Sequence, residues 1–267
     1  MSIHPTAFVS STAVIGKNVT IGPCATIEDD VVIGDDSVID AYASVKQYTT
    51  LGRGNRVHSY AMVGGEPPDL KFHGEKTELV IGDFNVIREF STMHRGTEGG
   101  GGVTRVGSHN LIMPYAHVAH DCTLADNIVM SNNASLAGHC RVDEGAILSG
   151  FAAVHQFTRI GRHAFVGGAT GITQDLPPFM LAVGNRATVQ SPNIVGLRRM
   201  KASQELITAI KQAFRLTWYS GLPRVDAMLQ LEAEYGHLPE IAEYVAFVRS
   251  SVRGILPGED RKKSGEV

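Results

Sequence analysis

From Val106 to Ile172 an aliphatic residue returns at every sixth position: Val106, Ile112, Val118, Leu124, Met130, Leu136, Val142, Leu148, Val154, Ile160, Val166 and Ile172. That spacing suits neither a helix, whose apolar stripe repeats about every 3.6 residues, nor a plain strand, which repeats about every 2. Four residues after most of these sits a small or modest side chain, among them Asn110, Ala116, Cys122, Ala134, Cys140, Ala146, Ala152 and Ala164. A short fixed period marks a solenoid, in which each repeat buries its apolar face only against its neighbours. Hexads suggest a three-sided parallel β-helix, three hexads to a coil, with the aliphatic residue inside and the small one near a corner. The same register opens the chain without a slip: Ile3, Val9, Ile15, Ile21, Ile27, Ile33, Ile39, Val45, Leu51, Val57 and Val63. Asn55 is the one misfit among the small positions of that stretch.

Three hexads make 18 residues, so residues 18 apart stack on successive coils, about one strand spacing of 4.8 Å apart. Val118, Leu136 and Val154 then share one face. Around them, all at outward positions, lie His117, His120 and Asp121, then Gly138 and His139, then His155 and Gln156. Gly138 falls on top of His120. The winding gathers imidazoles on one outer wall.

The period breaks at Gly64, where Gly64 to Lys76 includes Pro67 and Pro68, which cannot donate to a ladder. Long excursions inside a compact fold are usually functional. The hexads resume at Ile81, Ile87 and Met93, and a second interruption, Gly96 to Gly102, follows. If that loop is simply extruded, Met93 shares a face with Val118, and His94 joins the His155 column. Both loops then flank the imidazole wall.

Aromatic residues make up only 7% of the 267-residue chain, which fits thin coils with little interior room for rings. Glycine is abundant, at 29 residues, as expected where hexads turn strained corners. A net charge of −3 implies no nucleic-acid-sized basic field. No signal region and no apolar run of about 18 residues is present, so a cytoplasmic protein without stable membrane insertion is expected. Of three cysteines, Cys122 and Cys140 fall 18 apart at inward positions and read as packed, reduced thiols.

The expected domains are a hexapeptide-repeat β-helix over 1–184, with inserted loops 64–78 and 96–102, a C-terminal helical domain over 185–256, and a disordered tail over 257–267. The prism itself ends after Ile172, with connectors at Asp175 to Pro178 and Gly184 to Arg186. Ser203 suits the cap of a helix carrying Leu206, Ile207, Ile210, Ala213, Phe214 and Trp218. Gly221 and Pro223 end it and start another, and Pro239 opens a third.

The wall containing His94, His117, His120, His139 and His155 admits three readings. These are solvated surface histidines, ligands for zinc, or a general base in which a neutral imidazole takes a proton from a hydroxyl. Asp121 beside His120 can hold the tautomer, as a carboxylate does in hydrolytic triads. No serine or cysteine nucleophile stands nearby in a recognisable arrangement, which favours direct attack by a substrate hydroxyl.

Several segments make this more specific: His94-Arg95-Gly96, Ala116 to Cys122, Asn132 to His139, Ala153 to Phe157, Pro68 to Lys71, Gly184-Asn185 and Gly196 to Arg199. Together they closely resemble the UDP-N-acetylglucosamine O-acyltransferases that start lipid A synthesis, along effectively the whole chain. Hexads alone would be weak, being shared by many acyltransferases and by zinc carbonic anhydrases. The resemblance implies a left-handed β-helix, a homotrimer with sites between subunits, and no cofactor or metal. It implies transfer of a 3-hydroxyacyl chain from acyl carrier protein to the 3-hydroxyl of UDP-N-acetylglucosamine.

Residue by residue, His120 matches the family's general base, Asp121 its neighbour, and Gly138 the position whose backbone N–H meets the thioester oxyanion. Asp69, Lys71, His94, His117, His139, His155 and Gln156 match substrate contacts. Asn193 and Arg199 match positions near the nucleotide, and Gly168 the position that limits acyl length. The chain departs from the family at Pro68, where Gln is common, and at Val195, where Glu is common. Both lie near the sugar–nucleotide site, so a 3-amino sugar acylated through an amide is the alternative acceptor. A zinc lyase of the carbonic anhydrase type is the rival from another class. The later N-acyltransferase of the same pathway is disfavoured because hexads start at Ile3 and leave no room for its extra N-terminal domain.

Overall fold

The computed structural model describes residues 1–260. Residues 261–267 of the expected tail lie outside the described residues. Each hexad contributes a strand of mostly two residues, such as Thr26–Ile27 or Ser135–Leu136, whose second residue is the inward aliphatic. The strands stack into three sheets of 11, 9 and 8 strands. Pairing is parallel and offset by 18 residues, as in Val118↔Leu136 and Leu136↔Val154. The core is a single file of side chains from the three walls, with Ile112, Val118 and Leu136 fully buried. The first coil is the open end of the prism, so Ile3 is 39% exposed there despite its inward position.

Corners are turned by residues with positive φ, few of them glycine: Asp121 (59°), His139 (61°) and Phe157 (62°) form one such column. Single non-glycine residues in this region cost on the order of 1 kcal/mol, a strain the stacked ladders on either side enforce. Rings excluded from the narrow interior line a corner outside instead. Tyr42, Tyr60, Phe90 and Tyr115 stack face to face with centroids 5.0–5.1 Å apart.

Asn55 proves to be the start of an internal asparagine ladder. Its Oδ1 accepts from Asn85 N (2.9 Å) and Nδ2 (3.0 Å), Asn85 Oδ1 accepts from Asn110 N (2.9 Å), and Asn110 Oδ1 accepts from Ile128 N (2.7 Å). The amide thus continues the backbone ladder through a buried corner where an apolar residue would leave N–H groups without partners.

The two interruptions are extrusions that leave the stacking intact. The offset is 30 between Met62 and Thr92 and 25 between Thr92 and His117, instead of 18. Met93 consequently pairs with Val118, as the loop bookkeeping requires. A bulge between Val63 and Gly65 brings Gly65, the root of the first loop, against His94.

The prism runs further than Ile172. Met180–Val183 adds a parallel strand on Phe165–Val166, and Thr188–Pro192 folds back antiparallel on it. Four helices follow: α1 (Ile194–Arg199), α2 (Gln204–Tyr219), α3 (Arg224–Tyr235) and α4 (Pro239–Arg249). The Ser203 side chain accepts from Leu206 N and caps α2 as expected, and the helical pattern read from Asn193 onward begins with the short α1. Arg159 fastens α4 to the last coil: it donates to buried Asp175 (2.9 Å) and to Phe247 O (2.9 Å), and lies 4.2 Å over the Phe247 ring. The tail was expected to be disordered from Pro257, but residues 257–260 begin docked. Val189 N donates to Pro257 O, Glu259 N donates to Val189 O, and these bonds recruit the tail as an edge to Thr188–Pro192. No helix among the described residues is long and apolar enough to cross a membrane.

Replacing Asn85 by Ala strands Asn110 N–H in a buried corner and removes the bond from the Asn85 side chain to Gly107 O. It is expected to cost about 2–3 kcal/mol, measured as a lowered urea midpoint at unchanged m-value.

Candidate functional site

The wall is carried by the sheet containing Thr92–His94, His117–Val118, Ser135–Leu136 and Ala153–Val154. The inward residue of each pair is fixed by the core, so the residues after it are thrown outward at a corner. That places His120 and Asp121 on one coil and Gly138 and His139 on the next.

His120 lies directly against Gly138. A Cβ added to that glycine would sit 2.6 Å from the imidazole Cε1 and 2.7 Å from Nε2. The glycine is therefore needed to make room for the ring of the preceding coil, a tighter reason than admitting substrate. Among the described residues the Gly138 N–H has no hydrogen-bond acceptor, so a donor stands free beside the imidazole edge.

The other ring nitrogen is fixed. His120 Nδ1 lies 2.7 Å from Asp121 Oδ2, and the Asp121 side chain is 1% exposed. The carboxylate is further held by Thr97, whose N–H donates to Oδ1 (2.7 Å) and whose hydroxyl donates to Oδ2 (2.7 Å). Asp121 N in turn donates to Thr104 Oγ1 at 2.7 Å. An ionised carboxylate accepting from Nδ1–H leaves Nε2 as the basic lone pair, on the side of Gly138.

Thr97 and Thr104 were missed by the reading of the sequence. The second loop explains Thr97: its side chain accepts from Gly100 N and caps the 3-10 turn Glu98–Gly100. A side chain at Gly100 would overlap the Asp121 carboxyl group, so the glycine run is what lets the loop close over Asp121. The signal available was a threonine opening a glycine run three residues before a glycine. Phe157 also went unassigned, and it stacks on His139 at 4.4 Å.

The other imidazoles sit around this pair. His139 stands edge-on to His120 with centroids 5.2 Å apart, and its Nε2 is 3.6 Å from Asp121 Oδ2. His94 and His117 meet edge-on at 5.2 Å. His94 Nδ1 is 2.6 Å from Glu66 O, a contact that pins the first loop to the wall, and His117 Nδ1 is 2.8 Å from Thr92 Oγ1. Burial lowers the His94 pKa, and burial together with His94 and His120 lowers His117 to about 4. His117 is therefore an uncharged donor or acceptor at neutral pH. His155 and Gln156 are exposed one coil beyond Gly138, on the same face. In the first loop Asp69 is half-buried and Lys71 exposed, and Asp69 Oδ1 accepts from Lys71 N (3.0 Å) and so shapes the turn.

Three candidate positions lie off this wall. Asn193 caps α1, accepting from Gly196 N (2.9 Å) and donating to His163 O (2.9 Å). With Arg199 and Val195 it lines a groove of about 650 Å³ over Ile147, Phe165 and Leu181. Those three residues belong to a different sheet from the histidines. One chain therefore presents Asn193 and Arg199 on a wall other than the one carrying His120. Gly168 lies at a corner where an added Cβ would meet only ordinary contact, Gly150 O at 3.6 Å. The fold itself does not require a glycine there.

Donor atoms of His120, Asp121 and His139 lie within 4.8 Å of one another, close enough to surround a metal ion. The hydrogen bonds argue for another use. Asp121 already accepts from Thr97 N–H, Thr97 O–H and His120 Nδ1, and a metal would have to displace one of them.

The C-terminal residues 175–256 match the family model described as Udp N-acetylglucosamine O-acyltransferase, Domain 2. The chain is 44% identical over 254 residues to an acyl-[acyl-carrier-protein]–UDP-N-acetylglucosamine O-acyltransferase of Aliarcobacter butzleri, covering 95% of this chain and 97% of that one. It is 46% identical over 208 residues to the enzyme of the same name from Nautilia profundicola, covering 77% and 79%. Among solved structures, the UDP-N-acetylglucosamine acyltransferase of Bacteroides fragilis superposes with a TM-score of 0.93 at 40% identity, over 95% of this chain and 99% of that one. That of Campylobacter jejuni superposes at 0.91 with 36% identity, over 97% and 100%.

The lowered His117 pKa has a definite sign. The unfolded chain binds more protons than the folded one between about pH 6.5 and 4. Stability is therefore expected to fall as pH drops through that window, and the loss to be smaller in His117→Gln. Thermal melts of both proteins from pH 7 to 4 measure it.

Proposed function

Because the chain belongs to the acyl-[acyl-carrier-protein]–UDP-N-acetylglucosamine O-acyltransferases, enzymes of lipid A biosynthesis built on the left-handed parallel β-helix, we propose that His120 is its general base and the Gly138 N–H its oxyanion donor. The observation that carries this reading is the contact between the His120 ring and the Gly138 peptide, with Nδ1 held by a buried carboxylate. Zinc lyase chemistry, the rival from another class, does not accord with this family.

The sugar 3-hydroxyl attacks the thioester carbon of the 3-hydroxyacyl carrier protein while His120 Nε2 takes its proton. The carbonyl oxygen becomes an oxyanion facing the Gly138 N–H, a donor worth about 3 kcal/mol where it is pre-placed. Collapse breaks the C–S bond, and the thiolate leaves with the proton from His120. The products are the 3-O-acyl sugar nucleotide and free carrier-protein thiol. Asp121 stabilises the transient imidazolium without taking its proton.

His94, His117, His139, His155 and Gln156, with Asp69 and Lys71 from the first loop, surround the sugar and the acyl head. Asn193 and Arg199 hold the nucleotide, the guanidinium pairing with pyrophosphate. Since these two lie on a different wall from His120, the complete site forms between chains of a homotrimer. Gly168 sets acyl length by leaving open the groove that a side chain would block. Val195, 59% exposed in the nucleotide groove, and Pro68, exposed in the first loop, favour a second reading in which the acceptor is a 3-amino sugar.

His120→Ala is expected to remain a trimer and to lose kcat by roughly 10³-fold or more. Turnover near normal would remove His120 from the chemistry. Gly138→Ala is expected to displace the ring and lose activity comparably, and Gly168→Met to shift the preferred acyl chain shorter. Mass spectrometry of product from mixed acyl donors and both sugar nucleotides reads acyl length and linkage together.

A further inference from the structure

The second loop delivers a chain of hydrogen bonds to the base. Gly100 N donates to Thr97 Oγ1 (3.1 Å), and Thr97 Oγ1 lies 2.7 Å from Asp121 Oδ2. An ionised carboxylate only accepts, so the hydroxyl proton points at Asp121 and its lone pair takes the Gly100 N–H. The next link joins Asp121 Oδ2 to His120 Nδ1 at 2.7 Å. Linked hydrogen bonds polarise one another, and they count for most where water is excluded. Water is excluded here, since Thr97 is 8% exposed and the Asp121 side chain 1%.

We propose that Thr97 is a positioning residue for the reaction, one that commits the Asp121 carboxylate to His120 in preference to His139. The inference rests on the acyl-transfer reading above. Oδ2 has a second imidazole within reach, because His139 Nε2 lies only 3.6 Å away. Rotation about the bond to a carboxyl group is soft, with no sharp staggered well to choose between the two rings. Thr97 removes that freedom. Its N–H donates to Oδ1 (2.7 Å) while its hydroxyl donates to Oδ2, so both oxygens are held, and the plane of the carboxylate with them. With the plane fixed, Oδ2 stays on Nδ1 of His120, and the opposite edge of the ring stays against Gly138.

The strap that carries Thr97 is itself tied down on both sides. Arg95 N donates to Gly65 O (2.9 Å), Gly96 N to Glu78 O (3.1 Å) and Gly102 N to Thr97 O (2.8 Å). Arg95 is 5% exposed, and its guanidinium carbon lies 5.4 Å from the ring centroid of Tyr48 and 5.8 Å from that of Phe72. Phe72 belongs to the first loop, so the strap is fastened to the roots of both loops. Gly100 closes against Asp121 from the other side, where a β-carbon would overlap the carboxyl group.

A mutant cycle tests this, with an acyl carrier protein thioester as donor and the radiolabelled UDP-sugar that the wild type accepts. Thr97→Val keeps the backbone donor and loses the hydroxyl. It is expected to lower kcat about 10- to 100-fold, the effect of one hydrogen bond to a charged group, with KM for each substrate within about twofold. Thr97→Ser restores the donor and is expected to stay within about threefold of the wild type. In an Asp121→Ala background there is no carboxylate to hold, so adding Thr97→Val is expected to change kcat by less than about twofold. Gly100→Ala is expected to lower kcat where Asp121 is present and to be nearly neutral in Asp121→Ala, which tests the strap even where Thr97→Val does not fold. The assignment is overturned if Thr97→Val retains kcat, if either change costs as much without the Asp121 carboxylate as with it, or if Thr97→Ser loses as much as Thr97→Val. A wild-type protein that transfers no acyl group would instead sink the acyl-transfer reading beneath it.

Discussion

The repeat of 18 residues per coil is the constraint on which everything else depends. Parallel ladders between successive coils fix which residues stand over one another, and the single-file core fixes which way each faces. The contact between His120 and Gly138 needs no dedicated loop or helix under these conditions. It is the automatic result of an imidazole and a glycine 18 positions apart at a corner. The cost is conformational, because the corners demand positive φ at residues such as Asp121 and His139. Ladders on both sides of each corner enforce that geometry, so the site stands on hydrogen-bonded strands and not on a free loop.

Much of this was legible in the sequence because the period is short and nearly unbroken. The inward aliphatics and the stacking of His120 on Gly138 follow from counting in sixes, and the pairing of Met93 with Val118 follows once the second loop is left out of the count. Counting fails where a residue's role depends on a path through an extruded loop. Thr97 could be seen to open a glycine run, but only the fold brings its N–H and hydroxyl onto Asp121. Asn55 looked like an error in the pattern because the small-corner rule considers volume and not backbone satisfaction. Its ladder with Asn85 and Asn110 shows that a buried amide is acceptable when each member continues the hydrogen bonding of the next. The extra strand Met180–Val183 and the docked residues 257–260 escaped for a related reason, since they are edge pairings with no hexad signature.

The two loops do different jobs. The first is pinned to the wall by the contact between His94 and Glu66 O. The second folds over Asp121 and shields it from water. That shielding matters for the proposed mechanism, because a carboxylate orients and supports an imidazolium more strongly where water does not compete. Burial of His94 and His117 works in the same direction. Both are held neutral, so the wall presents polar rings and not a cluster of like charges.

The separation of the histidine wall and the Asn193–Arg199 groove onto different sheets has a physical consequence for assembly. A solenoid wall is nearly flat, and a flat wall cannot enclose a substrate carrying both a sugar and a nucleotide. A second wall must be supplied. In this chain α1 lies over Ile147 and Phe165, on another wall from the histidines, and α4 packs beside Arg141 and Arg159. A neighbouring copy turned to face the histidine wall can supply a second one. The homotrimer proposed above would supply that wall, because one chain carries the His120–Gly138 contact and the Asn193–Arg199 groove on different faces.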